Sequence, residues 1–365
     1  MEQYNPQFRV SSKIVKYLTS IEKAKEAVEG LQLPFDLELK FRKEAFLKST
    51  HYSTKIEGNA LTMAQTKKLL DGQDVVARER DKKEVLNYYD CLEFILKSAK
   101  QKQPVTEKLI QEIHSINLKG IFKGKLRGHY REAQNVVMDS STKGLVYMPP
   151  EVKDVGPLMQ SLVGWLNREK DIHPVIKAAV AHYQFVTIHP FMDGNGRTAR
   201  ALATYILYHA HYDLKQFISL EEFYSEDRSR YYKELHNCQG PNYYDRPQSD
   251  ITSWLEYFIY GVAVVFEEVK NKAMAVDKKI HLETPHQNIE LLENIGARER
   301  KLLQFFKKEA QLKTKDVGRL FRIKDRSARD LIRRWIAMGL VERKGTGDKN
   351  AYYVLNSRYR DLINP

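Results

Sequence analysis

The sequence predicts a mainly α-helical protein with one short β-hairpin near its middle and a second, smaller helical domain at its C-terminal end. Three observations predict this. Apolar residues recur at helical spacing through most segments, as at Leu109, Ile110, Ile113 and Ile116. In the central region only residues 135–138 and 144–148 read as β-prone runs, joined by a polar, glycine-bearing stretch at 139–144. Positive charge is also gathered at one end: of a net +13 over 365 residues, positions 298–365 hold 19 Lys and Arg against 8 Asp and Glu. With 42 % hydrophobic and 29 % charged residues, the chain has the composition of a soluble globular protein. The longest apolar run, 257–266, is too short for a bilayer, and residues 1–10 contain no apolar signal core. Cys91 and Cys238 form no metal or disulfide pattern. A cytoplasmic protein with no membrane partner is expected.

Taken in order, residues 13–28 form a first helix, closed by Gly30 and Pro34. A second spans 39–54 and ends near Gly58-Asn59, two residue types that tolerate positive φ. Helices follow from Met63, over 81–101, and over 106–117 behind the N-cap Thr106. After the hairpin, Pro149-Pro150 ends the second strand. Helices at 155–169, 174–188 and 198–210 come next; the last is apolar on most faces and reads as a core helix. Residues 219–236 read as one helix containing Tyr231 and Tyr232, and 249–269 as a long aromatic-rich one. Residues 271–295 read as a polar, helical connector broken at Pro285. The expected domains are 1–105, 106–265, 266–297 and 298–365.

The chemistry concentrates in residues 189–200, His-Pro-Phe-Met-Asp-Gly-Asn-Gly-Arg-Thr-Ala-Arg. His189 stands where a helix ends beside a proline, as a general base with a pKa near neutrality. Gly194, Asn195 and Gly196 allow a tight turn whose N–H groups make a nest for phosphate oxygens. The next helix adds its positive N-terminal end, and Arg197 and Arg200, three apart, lie on one side of it. Asp193 at the rim of an anion site calls for a bridging Mg2+. Phe191 is the apolar anchor of the loop.

The pattern His-x-Phe-x-Asp-Gly-Asn-Gly-Arg-x-x-Arg resembles the signature of the Fic-domain family and is met at every specified position. The resemblance extends over most of 37–265 and takes in Leu126, Arg127, Gly128, His129, Tyr130, Arg131 and Gln134 together with the hairpin, which look like the family's flap. It implies a helical Fic fold and a protein adenylyltransferase that moves AMP from ATP to a Ser, Thr or Tyr hydroxyl of a target protein or of itself. The implied roles are His189 as base, Asp193 as Mg2+ ligand, and Gly194, Asn195, Gly196, Arg197, Thr198, Ala199 and Arg200 around the phosphates. Val136 and Val137 in the flap, and Tyr231 and Tyr232, are the remaining implied nucleotide contacts. The flap would pair with an extended target segment by strand addition.

Ser53-x-x-x-Glu57-Gly58 resembles the family's N-terminal inhibitory motif. Glu57 would pair with Arg200 and withdraw a cation from the γ-phosphate. In some relatives the same glutamate orients a water that removes AMP, and the sequence does not separate the two directions.

Residues 298–309, 314–321 and 327–338 read as three helices. Gly339 then precedes strand 340–343, turn 344–348 and strand 351–355, which is a winged helix-turn-helix order. Arg326, Arg329, Arg333 and Lys344 would face DNA phosphates. This end of the chain keeps a second function open, a DNA-binding transcriptional regulator with the Fic core as nucleotide sensor. The sequence also leaves open a homodimer.

Overall fold

The computed structural model describes residues 4–122, 126–138, 144–245, 249–283, 295–345 and 351–362. Contacts divide the chain into two compact units, Met1–Gly30 with Lys40–Lys272, and Leu31–Leu39 with Ala273–Pro365. This is not the four-part division expected from the sequence. Residues 1–105 do not stand apart, because the helices they form wall the core of the larger unit.

In chain order these are α1 (Ser12–Gly30), α2 (Phe35–Ile56), α3 (Met63–Leu70) and α4 (Glu79–Lys100). Thr62 and Gln65 close a capping box at the start of α3, each side chain meeting the other's backbone. α5 (Glu107–Asn117) starts at Thr106, whose hydroxyl accepts from the Leu109 amide at 3.0 Å. Strands β1 (Val137–Met138) and β2 (Leu145–Tyr147) pair antiparallel, Val137 opposite Tyr147 and Met138 opposite Leu145, with a bulge between. Residues 139–143 of the expected connection lie outside the described residues. α6 (Val152–Arg168), α7 (Pro174–Ile188) and α8 (Asn195–His209) follow.

α7 and α8 form the centre of this unit. Every residue of α7 except Pro174 and Lys177 is buried, and α8 packs on α7, α4 and α5. The helix expected at 219–236 is two helices, α9 (Leu220–Glu226) and α10 (Arg228–Gln239). The break is at Asp227, whose carboxylate accepts from the Arg230 amide at 2.9 Å and so caps the second. α11 (Thr252–Glu283) covers, as one helix, most of the long helix expected at 249–269 and the first part of the connector expected to be helical from 271. The sequence turns polar after Val269, but a helix keeps its backbone bonds with no apolar stripe to bury. Pro285 lies outside the described residues.

The smaller unit contains α12 (Ala297–Phe306), α13 (Thr314–Phe321), α14 (Asp325–Ala337), β3 (Val341–Lys344) and β4 (Tyr352–Leu355). Leu302, Phe306, Val317, Leu331, Ile332 and Trp335 form its core. The Trp335 indole donates to Glu299 at 2.7 Å. Gly339, at φ 67°, turns the chain out of α14, and β3 pairs antiparallel with β4 from Val341–Leu355 to Lys344–Tyr352. Residues 346–350, which include part of the expected turn and Lys349, lie outside the described residues.

Candidate active site

α7 delivers His189 and α8 receives the chain six residues later, so the loop between them is held by both core helices. His189 is the C-cap of α7 at φ 50°, ψ 57°, a left-handed conformation uncommon for a residue with a Cβ. Its neighbours hold it there. The Arg131 amide donates to the Pro190 carbonyl at 2.8 Å, and Arg131 Nε donates to the His189 carbonyl at 3.1 Å. The rest of the Arg131 guanidinium meets the carbonyls of Ala133 and Pro150. Asn135 Nδ2 donates to the Phe191 carbonyl at 2.9 Å. These bonds tie the flap to the loop.

The His189 imidazole has a defined tautomer. Nδ1 lies 3.2 Å from the Val186 carbonyl, which can only accept, so Nδ1 carries the proton and Nε2 keeps its lone pair. Burial lowers the pKa to about 4, with the Val186 bond and Glu57 opposing. The expectation of a pKa near neutrality is therefore corrected downward. His189 is a neutral base at every pH above that value.

Of the three nest residues, only Gly194 turns left-handed, at φ 75°. Asn195 is 2 % exposed, and its amide is spent within the loop: Oδ1 accepts from the Phe191 amide at 3.0 Å and Nδ2 donates to the Phe191 carbonyl at 2.8 Å. Its side chain is a brace within the loop, which leaves its backbone amide as the group facing the expected phosphate. Gly196 lies inside α8, and a methyl there would collide with the Glu57 carboxylate. Its requirement is space for Glu57, not backbone freedom.

Arg197 and Arg200 are 2 % and 1 % exposed, while Thr198 and Ala199 are fully buried. Arg200 Nε donates to Ser53 Oγ and Nη2 to the Ser53 carbonyl, both at 2.9 Å; Nη2 also reaches Glu57 Oε1 at 2.8 Å. Burial alone would lower this guanidinium's pKa, but Glu57 and the hydroxyls of Tyr231 and Tyr88 outweigh it and hold it above the usual arginine value. Ser53 and Glu57 thus both meet Arg200, and the Glu57 contact is the one that the resemblance implied. Their end of α2 buries Ser49, Thr50, Ser53 and Thr54 as well as Ile56. Arg197 Nε, Arg200 Nη1 and Thr198 Oγ1 are buried with no hydrogen-bond partner among the described residues. Buried guanidinium nitrogens left unpaired are costly. An anion at this helix start would satisfy them, and the N-terminal amides of α8 also lack intrahelical acceptors.

Four participants were invisible in the sequence. Arg80, on α4, places Nη2 2.9 Å from Asp193 Oδ2 and Nε 3.0 Å from Glu84 Oε1. Glu84 also lies 3.5 Å from Arg197 Nη1 and accepts from Asn59 Nδ2 at 3.0 Å. Asn59 continues to the Asp81 carbonyl, so Gly58, at φ 91°, ends α2 while Asn59 ties that end to α4. His114, on α5, bonds both the loop and the segment entering the flap. Their long sequence separations leave no local signal, and on α4 the charges read as an ordinary solvated face. Among the described residues no group of three or more His, Cys, Asp or Glu could hold a metal. Asp193, 37 % exposed at its side chain, offers one carboxylate beside the anion nest. That suits Mg2+, which takes few protein ligands when phosphates and waters supply the others.

Tyr231 does not stand at an open surface. It is 1 % exposed, its hydroxyl lies 2.9 Å from His182 Nε2, and its ring stacks on Tyr224. The ring is part of the core and the hydroxyl bears on Arg200. Tyr232 is 38 % exposed and Val136 41 %, while Val137 is partly buried in β1. In the smaller unit Arg326, Arg329 and Arg333 are exposed along one face of α14. Arg333 pairs with Asp330 at 3.3 Å and Lys344 with Glu342 at 2.9 Å.

Residues 104–207 match the Fic/DOC family. The protein adenylyltransferase Fic of Drosophila grimshawi is 34 % identical over 199 residues, which are 53 % of this chain and 40 % of that protein. The chain thus spans less than half the length of the curated relatives it matches first. A solved Fic-domain-containing signalling protein from Bacteroides thetaiotaomicron is 30 % identical with a TM-score of 0.62, over 71 % of this chain and 97 % of its own. A Fic family protein from Desulfovibrio desulfuricans shares the fold over 97 % of this chain and 99 % of its own, at 21 % identity and a TM-score of 0.63. Glu57 and Arg80 lie outside the matched segment 104–207.

Proposed function

The chain belongs to the Fic/DOC family, and from that premise we propose that it transfers AMP from ATP to a hydroxyl side chain of a target protein and holds itself closed with Glu57. The observation that carries this reading is the pair of buried arginines at the head of α8, with guanidinium nitrogens unpaired beside a histidine whose Nε2 is free to take a proton. In the reaction the hydroxyl oxygen forms a bond to the α-phosphorus and the bond to the β-phosphate oxygen breaks, releasing pyrophosphate. His189 Nε2 accepts the hydroxyl proton. The α8 amides, Arg197 and Arg200 neutralise the phosphates, which is most of what such a transfer asks of a protein. Asp193 would hold Mg2+, which when bound supplies charge neutralisation on the phosphate chain.

Glu57 occupies Arg200 and places its carboxylate against Gly196, so a γ-phosphate would meet a negative charge where it needs a positive one. Glu57→Gly is expected to raise AMP transfer at least tenfold, and His189→Ala in that background to abolish it. The readout is mass spectrometry of AMP adducts on the protein and on lysate proteins at matched Mg2+ and ATP. Equal adduct levels in wild type and Glu57→Gly would remove the inhibitory role. No adduct in any variant would remove the transferase reading.

The smaller unit supports a second, separate activity. Its three helices and hairpin follow winged-helix order, and Arg326, Arg329 and Arg333 recur three and four residues apart on the exposed face of α14. We infer that this face binds DNA, with phosphate contacts dominating. A gel shift with the full chain is expected to weaken steeply as salt rises, and to be lost when all three arginines become alanine. Retention of the shift in the triple variant would place binding elsewhere.

A further inference from the structure

We propose that His114 is a positioning residue of the active site. It fixes the orientation of the Asp193–Gly194 peptide and couples it to the segment that enters the flap. The inference deepens the transferase reading and rests on it for what the loop holds.

His114 is fully buried on α5, among buried Leu109, Ile110, Ile113 and Asn117 of the same helix. Its imidazole touches two separate segments. Nδ1 accepts from the Gly128 amide at 3.0 Å, and Nε2 lies 3.0 Å from the Asp193 carbonyl. An amide can only donate and a carbonyl only accept, so both nitrogens are assigned: Nδ1 is bare and Nε2 carries the proton. The ring face lies flat on Phe191, centroids 3.6 Å apart and planes 3° from parallel. Three parts of the motif region therefore converge on one side chain.

The consequence for the site follows from peptide planarity. In a trans peptide the C=O of Asp193 and the N–H of Gly194 point in opposite directions. Holding the carbonyl on the α5 side therefore aims the Gly194 amide to the other side, where it meets Asp193 Oδ1 at 2.6 Å. Gly194, with no Cβ and φ 75°, gives the loop little steric preference of its own between the two orientations of this peptide. His114 selects one. That choice sets the first amide of the anion nest and the carboxylate beside it. On its other edge His114 fixes Gly128, three residues before Arg131, which holds the His189 and Pro190 carbonyls. A displacement of the flap entrance would thus reach Asp193 through one imidazole.

The test compares His114→Phe and His114→Gln in the full chain carrying Glu57→Gly. Phenylalanine keeps a flat ring over Phe191 and loses both hydrogen bonds. Glutamine offers one acceptor and one donor. Hydrogen–deuterium exchange is read by mass spectrometry over 126–131 and 191–196, alongside kcat and KM for ATP. His114→Phe is expected to speed exchange in both segments together. It should lower kcat by about tenfold to a hundredfold, as misplaced groups do, with a smaller change in KM. His114→Gln is expected to restore most of the rate. Ile113→Val on the same helix should move neither segment, and His114→Leu replaces the Phe variant if that one does not fold. Unchanged exchange at 191–196, or a Gln variant no better than Phe, would overturn the proposal. Should the Glu57→Gly parent transfer no AMP, the transferase reading fails, and the paired exchange still decides whether His114 positions the loop.

Discussion

Gly196 shows how a single residue can be legible in the sequence for the wrong reason. The run Gly-Asn-Gly suggests a flexible turn, yet only Gly194 adopts positive φ, and Gly196 is the second residue of α8. The space a methyl would need there is filled by the Glu57 carboxylate. The conflict with Glu57 gives a clean prediction. Gly196→Ala should destabilise the wild-type chain by about 1–3 kcal/mol, the range for a forced overlap. In the Glu57→Gly background the same change should cost nothing or stabilise slightly, because alanine suits a helix. A double-mutant cycle by urea denaturation measures the difference; equal effects in both backgrounds would contradict the packing of Glu57 on Gly196. Most of the motif was readable because its residues lie within twelve positions. Residue type does not reveal that the side chains of Asn195 and Tyr231 are bonded within the protein, to Phe191 and His182.

Among the elements, α7 was read with its observed bounds, since Pro174 starts it and Pro190 forbids its continuation. It brings two imidazoles out of water, His182 in its interior and His189 at its end. Burial lowers His182 to about 3, with Arg200 adding to the effect, and His189 to about 4. An unfolded histidine titrates near 6.5. Above that value neither state binds the proton and these residues give no pH dependence. Below it the unfolded chain binds protons that the folded chain refuses, so stability falls as pH drops from about 6.5 toward 4. The slope should approach one proton for each residue, about 1.4 kcal/mol per pH unit apiece. Urea midpoints at pH 7, 6 and 5 check this, and His182→Phe should remove one proton from the slope. The less readable elements were those whose boundaries depend on one side chain or on none. Asp227 splits α9 from α10 by capping, and nothing in the sequence marks that α11 runs unbroken from the aromatic-rich stretch into the polar one after Val269.

At the scale of the molecule, the structure replaces the expected separation of residues 1–105 by a single larger unit, because α2 and α4 supply part of the site's wall. Patterns within one helix show which face is buried but not which distant loop it meets. Arg80, Glu84 and Asn59 therefore escaped notice, although together they link the end of α2 to Asp193. A cation seeking Asp193 must compete with Arg80. Arg80→Ala should accordingly tighten Mn2+ binding, measured by calorimetry with ATP present, by several-fold. An unchanged affinity would mean that Arg80 swings away at no cost. The Glu57–Arg200 pair joins positions 143 residues apart, and the partner made first is the glutamate. A ribosome synthesises from the N-terminus, and domains begin to fold in that order. The segment carrying Glu57 is therefore made before the residues of α8 that it meets. Under the proposed restraint by Glu57, no nascent chain carries α8 without the segment that would close it.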